Sequence, residues 1–501
     1  MSDRNTLRVR IDPDRVNGTA DERIYGHFIE HFHRQVYGGI YEPGSPLSDA
    51  AGYRRDVVEA LRRIRPAVVR WPGGCFVSAY HWKDGVGPVR KPSFDKAWRV
   101  EEPNTFGTDE FAGFCRAIGA EPYICTNAGT GTQEEMSDWV EYCNLRLQGR
   151  WARLRVENGF PDPHAVRYWS IGNENYGSWE MGAKSVGEWG RFVRESAKMM
   201  KRVDPGIQLM AASISDLDWN LELLREAGDL LDWVSVHDYW DPLWQEDRPA
   251  DYETCMAYTL RIEDKITKVR HILGALGYLG RIRIAFDEWN LRSWHHPHVD
   301  SATEDCIAPR DRNDRNATYT MADAVFAACF LNTCLRNCDV VGMANFAPTV
   351  NTRGMIFTHP GGIVLRSTYF VFELFTRWMG DVVVDAWTPE TPVFEAAAQG
   401  STVEVPALDI VATRRSGGGG IAVSVVNKDP ERTYRIGLAC PAASGETKAV
   451  LRTVNGDSKD AYNDIDAPGR VGIRERPLEV TPGEPVCLEV DPHSVNIVTF
   501  G

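Results

Sequence analysis

The sequence predicts an α/β protein: a (β/α)8 TIM barrel followed by a C-terminal antiparallel, jelly-roll-like β-sandwich. Three observations predict it. From residue 20 to about 370, short β-branched or aromatic runs alternate with segments of helical period. Eight such strand-like runs recur at even spacing. After about residue 380 the helical segments stop, and short strands follow one another between Gly, Pro, Asn and Asp turns. Strand–helix alternation demands a mostly parallel sheet, because each crossover returns to the same edge. Eight units fit a closed barrel. A doubly wound open sheet competes, but no GxGxxG follows the first strand.

The strand candidates, in order, are residues 23–31, 67–73, 121–127, 167–174, 208–213, 232–239, 281–289 and 340–347. Helices are expected between them at 51–64, 108–119 and 185–203. In the last, Val186, Trp189, Phe192 and Val193 recur every three or four residues, which makes one apolar face. The late strands include VEVPALDIVATRR, GIAVSVVNKD and SVNIVTF. The run Gly417–Gly420 lies between two of them and reads as a hairpin turn, since a phosphate cradle needs a following helix. The segment LRVRIDP (7–13) is expected to join the sandwich. The expected division is therefore 1–20 with the sandwich, 21–375 as barrel and 376–501 as sandwich.

Composition narrows the function classes. With 56 Lys+Arg against 70 Asp+Glu, the net charge of −14 repels phosphate backbones, so nucleic acid is not an expected partner. No apolar run approaches the roughly 20 residues that span a bilayer. The polar N-terminus has no stretch resembling a signal peptide. Eleven cysteines without CxxC pairs suit reduced thiols, and a cytoplasmic location is expected.

Polar residues gather where the predicted strands end: Glu30 and His31, Arg70, Asn127, Asn173 and Glu174, His237, Asp238 and Tyr239, Asp287 and Glu288. In a barrel this rim is where active sites are built. A single carboxylate there reads best as a structural ion pair. Three glutamates sharing one rim with Arg, Asn, His and Tyr point to chemistry. Strands four and seven of an eight-stranded barrel lie roughly 14 Å apart, and two inward Glu side chains would close that to about 5 Å, with a wider spacing of about 6.5–9.5 Å left open. Glu174, flanked by Asn173, Tyr176 and Trp179, is expected to stay protonated as general acid. Glu288, beside Arg70 and Tyr239, is expected to be ionised as nucleophile.

WSIGNENYGSW followed by IAFDEWN resembles the acid/base and nucleophile motifs of clan A glycoside hydrolases. RIYGHFIEHF, VVRWPGGCFVSAYHWKDGVGP and HSVNIVTF narrow the resemblance to glycoside hydrolase family 51, the α-L-arabinofuranosidases. The resemblance implies a retaining, exo-acting enzyme without metal or cofactor, acting on arabinose-containing oligosaccharides and assembling as a homo-oligomer, often a hexamer. It implies that Glu174 is the acid/base and Glu288 the nucleophile, while Glu30 and Asn173 hold furanose hydroxyls. Tyr239 would touch the nucleophile and the ring, and Trp98 and Trp179 would line the site. The backbone of Gly74 with Cys75 would meet the sugar, and Arg70 and His237 complete the expected substrate-binding set.

Two departures from the family pattern stand out. Cys75 replaces an Asn, and Pro348 replaces a Gln that reaches the sugar. The contact made by that Gln is expected to be absent or supplied by Thr349 or Asn351, with compensation by Asp238 or Arg353 left open. The departures keep a second reading in view: another retaining activity on this scaffold, such as an endo-β-glucanase, a xylan-active enzyme or a galactofuranosidase. A third is a non-catalytic sugar-binding protein. The histidines of HFIEHFH (27–33) and those at 295, 296 and 298 lack metal-site spacing and read as structural or as loop residues over the mouth. Trp294 is a further candidate for sugar stacking.

Overall fold

Eight parallel strands close on themselves in a computed structural model that describes residues 6–243, 248–293, 313–398, 400–418, 420–440 and 448–501. In chain order they are Gly26–Phe28, Val68–Trp71, Glu121–Thr126, Tyr168–Ile171, Gln208–Ala212, Trp233–Asp241, Arg283–Arg292 and Val341–Phe346, called strands one to eight below. Each overlaps a run that the sequence marks as a strand. Strand one is the shortest, and Gly26 explains how it fits. A Cβ there would sit 2.8 Å from both the Ala344 carbonyl and Val68. Below the rim the barrel is plugged by one layer of side chains: Val68, Tyr123, Tyr168, Met210, Trp233, Ala285 and Met343. It is a packed core, not a channel.

The helices around it follow the apolar period. Val186–Val203 opens on a capping box, with the Ser185 N–H donating to Glu188 at 2.9 Å. It buries Trp189, Val193, Ala197 and Met200, with Val186 and Phe192 packed at the margin. The helix expected at 51–64 starts only at Arg55, because the Asp49 carboxylate accepts from the Ala51 and Tyr53 N–H groups and holds a turn there.

One irregularity shapes the site. Ala285 pairs with Ser235 and Glu288 with His237, so strand seven spends three steps where strand six spends two. The same excess recurs against strand eight, where Phe286 pairs with Ala344 and Trp289 with Phe346. The extra residue is a β-bulge. In a regular strand Asp287 and Glu288 would face opposite sides. The bulge lets both turn into the barrel.

The second layer is a nine-stranded row: Gly472–Leu478, Ala449–Asn455, Ser494–Phe500, Ile421–Asn427, Leu408–Arg414, Val382–Trp387, Thr6–Thr19, Tyr434–Ala439 and Val486–Val490. All neighbours pair antiparallel except Thr6–Thr19 with Tyr434–Ala439. Leu451 and Leu488, from opposite ends of the row, share one apolar core with Val9, Ile11 and Val423. The row therefore folds over on itself as a sandwich.

Strand seven is anchored at its outer end by Arg292, which is buried. Its guanidinium donates to Asp241 at 2.7 Å and to both oxygens of Asp323 at 3.1 and 3.2 Å. Arg292→Met strands two buried carboxylates, so it is expected to cost about 3–5 kcal/mol. Differential scanning calorimetry should show this as a clear drop in Tm.

Candidate active site

Strand four ends in an abrupt turn that the motif GNEN requires. Gly172 is left-handed (φ +72°), and a Cβ there would lie 2.1 Å from the Asn175 side chain. Glu174 is itself left-handed (φ +45°), an unusual conformation for a non-glycine residue and one that concentrates at functional sites. Its carboxylate accepts from His237 Nδ1 at 3.0 Å, Trp179 Nε1 at 2.9 Å and the Tyr176 hydroxyl at 3.3 Å. Across the mouth, Glu288 accepts from Arg70 Nη1 at 2.8 Å and the Tyr239 hydroxyl at 2.6 Å. Carboxylate oxygens of Glu174 and Glu288 lie within 4.8 Å of each other.

Arg70 ties these walls together. Fully buried, it also donates to Asn173 Oδ1 at 2.8 Å and lies 3.5 Å from Asp287. With no exposed surface, it positions Glu288 and Asn173 rather than facing the pocket. Asp287 sits beneath, accepting from Tyr123 and from Ser235 at 2.7 Å. Burial opposes its charge, but His237, Arg70 and Tyr123 hold its pKa down at about 2.

The electrostatics correct one expectation. Burial favours a protonated Glu174, yet His237, Trp179 and Arg70 together hold its carboxyl below the usual range. Burial likewise opposes charge on His237, but Glu288, Asp287 and Glu174 push it up to about 10. Both directions favour the proton of this tightly coupled pair on the imidazole. The residues near Glu174 in sequence suggested an acid; His237, sixty-three positions away, decides otherwise.

Glu30 closes the third side. It accepts from the Phe76 N–H at 3.1 Å and Trp98 Nε1 at 3.0 Å. Gly73 (φ +156°) makes room for it, since a Cβ there would fall 2.5 Å from Glu30 Cγ. Gly74 lies between Glu30 and Glu288, within 3.5 Å of each by the same measure. Burial and the nearby Glu288 raise Glu30 to about 8. Trp179 leaves 65% of its surface exposed beside Glu174, an aromatic wall at the mouth. Cys75 stands against Glu174 and Glu180, and burial raises its thiol well above the usual range. Glu180, raised to about 7 by burial, was not foreseen; the WE pair after GNENYGS was the only trace of it in the sequence.

Several rim residues turn out to serve the scaffold. Asn127 caps its own loop by accepting from Gly129, Thr130 and Gly131. His31 bridges Glu102 and Trp71, and His27 packs on Phe372, so HFIEHFH does not converge on one point. Thr349 is spent on the Phe28 backbone, and Asn351 on Arg34 and Thr358. Neither is available to replace the missing glutamine. Asp238 is paired with Lys265 at 3.1 Å. Trp294 and the histidines at 295, 296 and 298 lie outside the described residues. Glu174, His237 and Glu288 have metal-like spacing, as do Cys75, Glu174 and Glu180.

Family models for an α-L-arabinofuranosidase 1 domain and an α-L-arabinofuranosidase C-terminal domain match residues 60–256 and 287–494. An intracellular exo-α-(1→5)-L-arabinofuranosidase of Halalkalibacterium halodurans is 34% identical over 90% of each chain. The chain belongs to the family 51 α-L-arabinofuranosidases. Among solved members of the family, the α-L-arabinofuranosidase of Thermotoga maritima in complex with arabinose is 35% identical, with a TM-score of 0.87 over 99% of both chains. The thermostable GH51 enzyme of Thermotoga petrophila RKU-1 is 35% identical, with a TM-score of 0.88 over 99% of this chain and all of that one. The family resemblance in the motifs thus extends to the whole fold, barrel and sandwich together.

A carboxyl raised to about 8 beside the paired acids has a pH consequence. Protonated Glu30 is the form the folded site favours, and that preference is lost as pH rises through about 8. The pH profile of kcat/KM should therefore fall above about pH 8 in the wild type. Glu30→Gln, measured with the same aryl glycoside, should be slower yet show no step there.

Proposed function

We propose that the chain is a retaining, exo-acting α-L-arabinofuranosidase in which Glu288 is the nucleophile and Glu174 the acid/base. The observation that carries this is the separation of the two carboxylates, whose oxygens lie within 4.8 Å. A retaining pair stands about 5–5.5 Å apart, and an inverting pair about 6.5–9.5 Å, to leave room for water. Glu288, fixed by Arg70 and Tyr239, attacks the anomeric carbon while Glu174 protonates the departing oxygen. The proton comes from His237, which faces Glu174 at 3.0 Å. Glu174, again a carboxylate, then takes a proton from water as that water cleaves the glycosyl-enzyme. Glu30 and Asn173 hold the furanose hydroxyls, Trp98 fixes Glu30, and the Gly74–Cys75 backbone and Trp179 line the glycone and leaving-group sides.

The natural substrates in this reading are arabinose-containing oligosaccharides. A cytoplasmic location is supported by relatives named as intracellular, among them one from Streptomyces lividans that is 35% identical. Among the described residues no helix is long and apolar enough to cross a membrane. Assembly as a homo-oligomer, a hexamer by family resemblance, belongs to the same reading, and light scattering measures it.

Glu288→Ala should lower turnover of an aryl α-L-arabinofuranoside by at least roughly 10⁴-fold. Glu174→Ala should depend on the leaving group, losing far less on a nitrophenyl glycoside than on an arabino-oligosaccharide. Proton NMR of the first-formed sugar should show the α anomer; a β anomer would refute the double displacement.

A further inference from the structure

The loop after strand eight lacks the family's glutamine, and its Thr349 and Asn351 are committed to the backbone and to Thr358. One polar side chain of that loop still reaches the site. Arg353, buried, donates from Nη2 to the Tyr239 hydroxyl at 3.1 Å, and its guanidinium lies 4.6 Å over the Tyr239 ring. Strand seven holds the loop in place: the Asn290 side chain donates to the Arg353 carbonyl at 3.1 Å. Tyr239 in turn donates to Glu288 at 2.6 Å. With its oxygen accepting from Arg353, the phenol keeps its one proton directed at Glu288.

The charges around Glu288 show why this matters. Arg70 faces it from strand two, His237 and Tyr239 from strand six, Glu30 from strand one and Glu174 from strand four, with Asp287 adjacent. Among the described residues, three carboxylates, Glu174, Asp287 and Glu288, share two directly bonded cations, because Arg70 also serves Asp287 and His237 also serves Glu174. Arg353 is the third cation, and it acts at one remove.

We propose that Arg353 is a positioning residue for the nucleophile, orienting Tyr239 so that its hydroxyl stays directed at Glu288 and holds that carboxylate in place for attack. Such a donor chain strengthens each bond in it. The inference rests on Glu288 being the nucleophile.

The test is a double-mutant cycle on the full-length protein with 4-nitrophenyl α-L-arabinofuranoside. Arg353→Met should lower kcat about 10-fold while KM changes little, because a misplaced nucleophile weakens the transition state and not substrate binding. Arg353→Lys should recover part of the loss, and it also serves if the Met variant fails to fold. In a Tyr239→Phe background, Arg353→Met should cost nothing further, because the path to Glu288 is already cut. Additive penalties, or a loss carried by KM alone, would overturn the role of Arg353 while leaving the proposed function standing. A wild-type protein inert towards the glycoside would instead overturn the reading on which both rest.

Discussion

A single buried guanidinium makes the site one object. Arg70 rises from strand two with no contact with solvent and reaches Glu288 on strand seven, Asn173 on strand four and Asp287 below. Burying that charge is costly unless every partner is in place, so the arrangement is close to all-or-none. Tyr123 and Ser235, which secure Asp287, come from strands three and six. Five strands thus converge on one ion-paired knot set on the apolar plug of the barrel. The rigidity that a furanose would meet at the rim is inherited from this knot and not from the loops above it.

Much of this was legible in the sequence because barrel geometry is periodic. Strand-forming runs with polar ends mark the eight strands, and the rim follows from the rule that active sites gather at strand C-termini. The paired glutamates and the tyrosine and arginine beside Glu288 could be named from motif and position. What escaped the sequence is what depends on contacts between distant strands. The bulge in strand seven turns Asp287 and Glu288 to the same side, and nothing in FDEWN announces an extra residue. The protonation of Glu174 was misjudged because neighbours in sequence stood in for neighbours in space. Glu180 was hidden for the same reason, and Arg353 could be named beside Asp238 but not chosen over it: each lies in a loop whose path only the folded chain reveals.

The proton balance of the site is better described by the group than by single residues. Two carboxyls, Glu30 and Glu180, are raised towards neutrality by burial, while Asp287 is driven fully ionised by the cations around it. Environment sorts chemically similar acids into different roles. Glu174 and His237 form a pair whose proton can sit on either partner. A base after one half-reaction and an acid before the other is what a double displacement asks of that position.

The strand Thr6–Thr19 lies between Val382–Trp387 and Tyr434–Ala439 in the sandwich. Those partners leave the ribosome after more than three hundred further residues. Throughout synthesis, then, an early-made strand waits with both edges open, a state that invites pairing with the wrong chain. The basic and acidic side chains scattered along it, among them Arg8, Arg10, Asp12, Asp14 and Arg15, give that waiting edge the charge that keeps it soluble until its neighbours arrive.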